Sequence, residues 1–262
     1  MSSDTTTIPS VIFQTWRSKT DLPHNFAHWQ QTFKDLHPTY QYRLWDDADN
    51  RAFIEKNFPW FLERYDSFPA EIYRADAIRY FFLYRFGGIY ADLDTECLRS
   101  LDPLLTGGDV ILGRMGNNPD FEHSIPNAFM MSKPRQEFWL YVISLITDSV
   151  GDRPEYVTGP VILKQAYDEY MHEYREDRVQ NRIANIRIKV ESSFPAESQK
   201  TNIVIGTPNV FYPVDWSDRI HDTFFRKPLM TQQTVLERDV ALALFPTSFV
   251  ATYWAHSWEP QD

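Results

Sequence analysis

The chain has one cysteine, Cys97, in 262 residues. An internal disulfide is therefore impossible, a zinc site built on cysteines is excluded, and a reducing compartment is permitted. Basic residues are also in short supply: 26 Lys and Arg stand against 36 Asp and Glu, a formal net charge of -10. A nucleic-acid backbone needs clustered positive charge, so no nucleic-acid partner is expected. No apolar run is long enough to cross a bilayer, since Val240 to Phe245 is stopped by Pro246. Met1 to Ser10 is polar and lacks the basic-then-apolar order of a signal peptide. The expected location is cytoplasmic, with at most peripheral membrane contact at an inner membrane face. Repeats, low-complexity stretches and linkers are lacking too.

What is present is enough apolar residue, 43%, and enough aromatic residue, 16%, to bury one substantial core. A single domain over residues 1–262 is expected. Ile8 to Trp16 predicts a short buried strand around Val11, Ile12 and Phe13. His24 to Leu36 predicts a helix with Phe26, Trp29 and Phe33 on one face. Tyr40, Tyr42 and Leu44 alternate as a second strand, and Asp46-Asp47 are placed to cap the helix after it. This β-α-β opening is the usual start of an α/β sandwich.

The clearest helix runs from Ala70 to Phe86, with Ile72, Ala75, Arg79, Phe82 and Phe86 at three- and four-residue steps. Gly87-Gly88 ends it, and Ile89 to Asp94 predicts a strand. Further strands are expected at Val110–Leu112, Ala128–Met131 and Ile203–Ile205, and helices at Phe138–Thr147 and Val161–Tyr174. Glu173 to Lys189 carries both charge signs and reads as a solvated helical face.

Asp92 and Asp94 are the chemical centre of this pattern. On a strand they would project to one side while Ile89, Ala91 and Leu93 pack the other way. Paired carboxylates at a strand end can hold a hard divalent cation, Mn²⁺ or Mg²⁺, which can bridge diphosphate oxygens. An Asp-x-Asp triplet is also common in surface loops. Asp76 and Arg79 stand three apart on the preceding helix and can reach one surface. They can hold sugar hydroxyls and phosphate, or simply form a structural ion pair with each other or through Arg74.

The block from Tyr73-Arg74-Ala75-Asp76 through Arg79 to Gly87-Gly88-Ile89-Tyr90-Ala91-Asp92-Leu93-Asp94 resembles the DXD signature of glycosyltransferase family 32. That family includes fungal mannosyltransferases and bacterial capsule-type enzymes and is related to the clostridial glucosylating toxins. Ile8 to Trp16, Tyr42 to Asp46, Asn127-Ala128-Phe129, Thr158-Gly159-Pro160 and Ser257-Trp258 extend the likeness along nearly the whole chain. Phe13 and Thr252 depart from it, standing where many family members have histidine.

The resemblance implies a GT-A fold, with a Rossmann-like nucleotide-binding half around a mostly parallel sheet. It also implies a retaining hexosyltransferase using a nucleotide sugar and a divalent metal. GDP-mannose leads the donors, with UDP-glucose and UDP-galactose behind it, and the acceptor would be a glycan or glycolipid hydroxyl. By position, Trp16 would stack on the donor base, and Asp76 and Arg79 would hold the sugar. Asp92 would face ribose and sugar, Asp94 would ligate metal, and Asn127 would lie near the transferred sugar. Trp258 would approach the β-phosphate. His256 is either a further metal ligand or a packing residue, with the Ser257 hydroxyl as the other ligand candidate. Thr158-Gly159-Pro160 would line the acceptor side. The tail from Ala255 is expected to close as a lid, with the chain near Tyr253 open to protease until donor and metal order it. The alternatives are a metal-dependent phosphohydrolase and a non-catalytic carbohydrate-binding protein.

Overall fold

The computed structural model describes residues 7–190, 199–220, 223, 226–232 and 234–255. Strand β1 (Val11–Thr15) carries apolar side chains on both faces, with Ile12 in one core cluster and Phe13 in the other. That is the pattern of a strand covered by helices on both sides. Helix α1 (His24–Leu36) buries Phe26, Trp29 and Phe33, and β2 (Gln41–Trp45) then lies parallel to β1. A capping box starts α2 (Asp47–Asn57). The Asp46 side chain accepts from Asp49 N–H at 2.9 Å, and Asp49 accepts from Asp46 N–H at 3.2 Å.

After α3 (Leu62–Asp66) comes α4 (Glu71–Phe86), the longest helix among the described residues. It stops at Gly87, whose φ of 65° is costly for any residue with a Cβ. Space is just as restrictive. A Cβ on Gly87 would lie 2.6 Å from Pro134 N, and one on Gly88 would lie 2.4 Å from Val11 Cγ1. The two glycines thus let the helix end turn directly into β3 (Gly88–Ala91), hard against β1.

The remaining strands are β4 (Thr95–Cys97), β5 (Val110–Gly113), β6 (Phe129–Ser132), β7 (Ile203–Gly206) and β8 (Val250–Thr252). Between β6 and β7 lie α5 (Glu137–Asp148), α6 (Pro154–Val157), α7 (Pro160–Glu173) and α8 (Asp177–Val190). Among the described residues the last helices are α9 (Pro208–Phe211), α10 (Lys227–Thr231) and α11 (Arg238–Leu244). Six strands form one sheet in the order β2-β1-β3-β6-β5-β7. Strand β6 runs antiparallel to both neighbours and the other five run one way, so the sheet is mostly parallel, as expected. A separate two-stranded ladder joins β4 to β8.

Alternation along β3 divides the core. Tyr90 joins α4 and α5 on one face, while Ile89 and Ala91 join α1 on the other. One expectation needs correction. Helix α8 is more than a solvated face, because Val179, Ile183, Ile186 and Val190 are buried and it packs on α5. Those four positions step by four, three and four, an apolar stripe that the surrounding charges obscure. Among the described residues, no helix is long and apolar enough to cross a membrane.

Candidate active site

Strand β3 ends at Ala91, and both carboxylates lie beyond it. Asp92 N–H still reaches Ala128 O at 2.8 Å, but Asp92 O accepts from Thr95 N–H and from Gln14 Nε2, each at 3.1 Å. The bond from Thr95 N–H closes a tight turn over residues 92–95. The expected strand from Ile89 to Asp94 is therefore a strand followed by a turn, because Asp92 O is claimed locally rather than by the sheet. Leu93 is buried in the same core cluster as Ile89 and Ala91, and Asp92, Leu93 and Asp94 all border one cavity of about 510 Å³.

Asp76 and Arg79 enter the same cavity from α4, and both are buried, at 6% and 4% exposure. Arg79 Nη2 pairs with Asp76 Oδ1 at 2.9 Å, and Nη1 pairs with Asp92 Oδ1 at 3.3 Å and donates to Asn127 O at 2.8 Å. The guanidinium carbon lies 4.6 Å from the centre of the Tyr90 ring, and the Tyr90 hydroxyl donates to Asp92 Oδ1 at 2.7 Å. Asn127 Nδ2 donates to Asp76 Oδ1 at 3.0 Å and to Tyr80 Oη at 3.1 Å. The structural ion pair and the cavity-facing role are thus the same residues; Arg74 instead pairs with Glu71.

Burial pushes the Asp76 carboxyl up to about 6, against the opposing pull of Arg79. The Asp94 carboxyl is also raised, first by burial and then by the negative charge of Asp92, with the Ala255 N–H acting the other way.

Asp94 has the character of a cation ligand. Its Oδ2 accepts from Ala255 N–H at 2.6 Å, while its Oδ1 is buried with no hydrogen-bond partner. An unpaired buried carboxylate oxygen is costly unless something positive meets it, and a hard divalent ion fits that need. Asp92 is less free, since Tyr90 and Arg79 occupy its oxygens. Among the described residues no group of three or more His, Cys, Asp or Glu converges for a metal. The other expected ligands, His256 and Ser257, lie outside the described residues, as does Trp258.

The β4–β8 ladder carries the end of the chain to Asp94, whose carbonyl accepts from Tyr253 N–H at 2.8 Å. Tyr253 is fully buried, stacks on Trp29 at 4.5 Å and donates to Glu96 Oε2 at 2.6 Å. Trp254 stacks on Tyr212 and donates to Val214 O at 2.7 Å. Protease access near Tyr253, expected of a mobile lid, is therefore ruled out in the folded chain, because both aromatics belong to the core. Any movable segment begins no earlier than Ala255. Truncation after Ala255 should leave the melting temperature within a few degrees of the full chain. Truncation after Thr252 removes two buried aromatic side chains, roughly 3–5 kcal/mol each, and should abolish cooperative unfolding in a calorimetric scan.

Trp16 borders the cavity, packed edge-on against Phe26 at 5.0 Å with its Nε1 donating to Asp21 O at 3.0 Å. The two departures from the family pattern do not touch the cavity. Phe13 stacks on Phe82 at 5.1 Å inside the core, and Thr252 is buried against Thr95, their hydroxyl oxygens 3.0 Å apart. Sequence reasoning missed Tyr90, Tyr80, Gln14 and Trp254. Tyr90 was available as the residue two before Asp92, and Tyr80 as one helical turn beyond Asp76. Gln14 and Trp254 carried no such signal.

Against known proteins, the family described as "Glycosyltransferase sugar-binding region containing DXD motif" matches residues 23–111, the stretch that holds Asp76, Arg79, Asp92 and Asp94. Residues 23–111 thus match a DXD-containing glycosyltransferase sugar-binding region. The chain is 50% identical over 104 residues to "Inositol phosphoceramide mannosyltransferase 3" of Schizosaccharomyces pombe, covering 40% of this chain and 29% of that protein. "Inositol phosphoceramide mannosyltransferase 2" of the same yeast is 36% identical over 176 residues, covering 62% of this chain and 47% of that protein. These matches span less than half the length of either relative. Among solved structures, the PaToxG glycosyltransferase aligns with a TM-score of 0.48 at 16% identity, over 74% of this chain and 80% of its own.

Proposed function

We propose that the chain transfers a hexose, with mannose favoured, from a nucleotide sugar to a glycolipid or glycan hydroxyl, using a divalent cation and retaining the anomeric configuration. One observation carries the reading. Asp94 Oδ1 stands buried and unpartnered in the same cavity as the buried Asp76–Arg79–Asp92–Asn127 network. When bound, the cation would offset the negative charge that gathers on the departing diphosphate. The protein does the rest. Asp94 holds the cation, and Arg79 is locked by four contacts, so its charge needs no reorganisation during reaction. Asp76 accepts a hydroxyl of the donor sugar, and Asn127 fixes the Asp76 carboxylate for that task. Trp16 offers a ring to the base at the β1 side of the cavity.

Mannose and an inositol phosphoceramide acceptor are favoured because relatives bear those words in their names. Such an acceptor would bring the chain to a membrane surface as a peripheral visitor. The test is a panel of GDP-mannose, UDP-glucose and UDP-galactose, each with and without Mn²⁺. Metal-dependent transfer, or slow hydrolysis without acceptor, is expected with GDP-mannose first. Phosphate release from simple esters would point to a phosphohydrolase. Donor binding without any turnover would point to a non-catalytic carbohydrate-binding protein.

A further inference from the structure

Among the described residues, two acidic residues that border the cavity each have one carboxylate oxygen buried with no hydrogen-bond partner: Asp94 Oδ1 and Glu155 Oε2. The first is accounted for by a cation. The second lies in α6, and its other oxygen stands 3.6 Å from Arg153 Nη2, too far for a direct hydrogen bond.

The surroundings of Glu155 indicate what it meets. Helix α6 lies so close to α4 that only a glycine fits between them. A Cβ on Gly159 would stand 2.8 Å from Glu155 Cα and 3.0 Å from Asp76 Oδ2. Glu155 is therefore a neighbour of the carboxylate proposed to hold the donor sugar. Tyr156, next to it, donates to Glu122 Oε1 at 2.6 Å, which ties α6 to the loop bearing His123. His123 meets Trp216 edge-to-face at 5.5 Å, and both border the cavity. Trp216 follows α9, the helix after β7, whereas Trp16 follows β1, and β3 lies between those strands in the sheet. The Glu155 side of the cavity is thus the side away from the proposed base platform. Arg153 stands beside one oxygen of this carboxylate, and the other, without a partner, is a strong acceptor for a hydroxyl donor. The His123–Trp216 wall supplies the flat apolar surface that orients a polyol ring.

We propose that Glu155 is an acceptor-positioning residue: its carboxylate accepts a hydrogen bond from a hydroxyl of the acceptor polyol, whose ring lies against Trp216 and His123. This rests on the glycosyltransferase reading above. In the transfer, the acceptor oxygen bonds to the anomeric carbon as the bond to the diphosphate breaks. The electron pair and the hydroxyl proton leave with the diphosphate, and Glu155 takes no part in the proton transfer.

The experiment compares wild type, Glu155→Gln and Glu155→Ala with GDP-mannose, Mn²⁺ and inositol phosphoceramide in detergent micelles. It reads transfer and acceptor-independent donor hydrolysis on the same preparations. Loss of a hydrogen bond to a charged group predicts that kcat/KM for the acceptor falls roughly tenfold or more in both variants. The fall should appear mainly as a higher acceptor KM, with donor hydrolysis, donor KM and melting temperature unchanged. Donor hydrolysis falling in step with transfer would overturn the proposal, because Glu155 would then act on the donor. Unchanged transfer in both variants would overturn it as well. A wild type that neither transfers nor hydrolyses any donor of the panel would overturn the reading of the whole cavity, and Glu155 with it.

Discussion

Asp94→Asn should reduce metal-dependent transfer by roughly 10²–10³-fold, the scale on which loss of one stabiliser of developing charge is felt, while leaving the protein folded. The separation of the two effects follows from the geometry. Asparagine keeps a side-chain oxygen where Oδ2 accepts from Ala255 N–H, so the tie to the end of the chain survives. It also removes the buried charge that Oδ1 carries without a partner. Burial and Asp92 together raise the Asp94 carboxyl, which means the folded state binds that proton more readily than the unfolded chain does. The charged form therefore weakens the metal-free fold as pH rises through the raised value. Asp94→Asn should melt no earlier than wild type near neutral pH, and later if anything. Adding Mn²⁺ with nucleoside diphosphate should raise the melting temperature of wild type and not of the variant, and a chelator should bring wild type back to its metal-free value. Full Mn²⁺-dependent activity in folded Asp94→Asn would remove Asp94 from the site.

Arg79→Ala should fail in a different way, through stability first. Arg79 is almost wholly buried and bridges Asp76, Asp92 and the Asn127 carbonyl. Its removal leaves two carboxylates without their counter-ion, at a cost of about 3–5 kcal/mol, so early melting and low soluble yield are expected. Activity lost in such a protein says nothing about donor chemistry. Two milder variants separate the roles. Asp76→Asn keeps an oxygen for Asn127 and Arg79 while losing the charge, and should unfold within about 1 kcal/mol of wild type. Its turnover should drop more than its affinity for bare nucleoside diphosphate, because the proposed contact is to the sugar. Arg79→Lys keeps the charge but cannot reproduce two separate nitrogen contacts, and should fall between wild type and Arg79→Ala in stability. If Asp76→Asn turns over at the wild-type rate, the Asp76–Arg79 pair is structural alone.

Much of this was legible along the chain because its signals are local. The periodicity of Phe26, Trp29 and Phe33 marked α1, the spacing of apolar residues before Gly87-Gly88 marked α4, and Asp46 marked the start of α2. Alternation at Ile89, Ala91 and Leu93 marked the residues that join the core, even though the strand under them ends early. In α8 the same kind of signal was misjudged, because the charges between Val179, Ile183, Ile186 and Val190 drew the reading toward solvent.

By itself the sequence determined much of the core, the order of the longer helices and of the strands in the main sheet, and Asp76, Arg79, Asp92 and Asp94 as the candidate set, since hydrophobic period, turn residues and motif spacing act over a few neighbours. Only the tertiary structure decided how those residues are used. Asn127 reaches Asp76 across 51 positions, Ala255 reaches Asp94 across 161, and Tyr253 is locked into the core by Trp29 and by Glu96. Contacts of that kind depend on sheet order and on the β4–β8 ladder, and a linear pattern carries no trace of them. Glu155 shows the same division. Its type and position are plain in the sequence, but an unpartnered oxygen beside Asp76 exists only because Gly159 lets two helices approach.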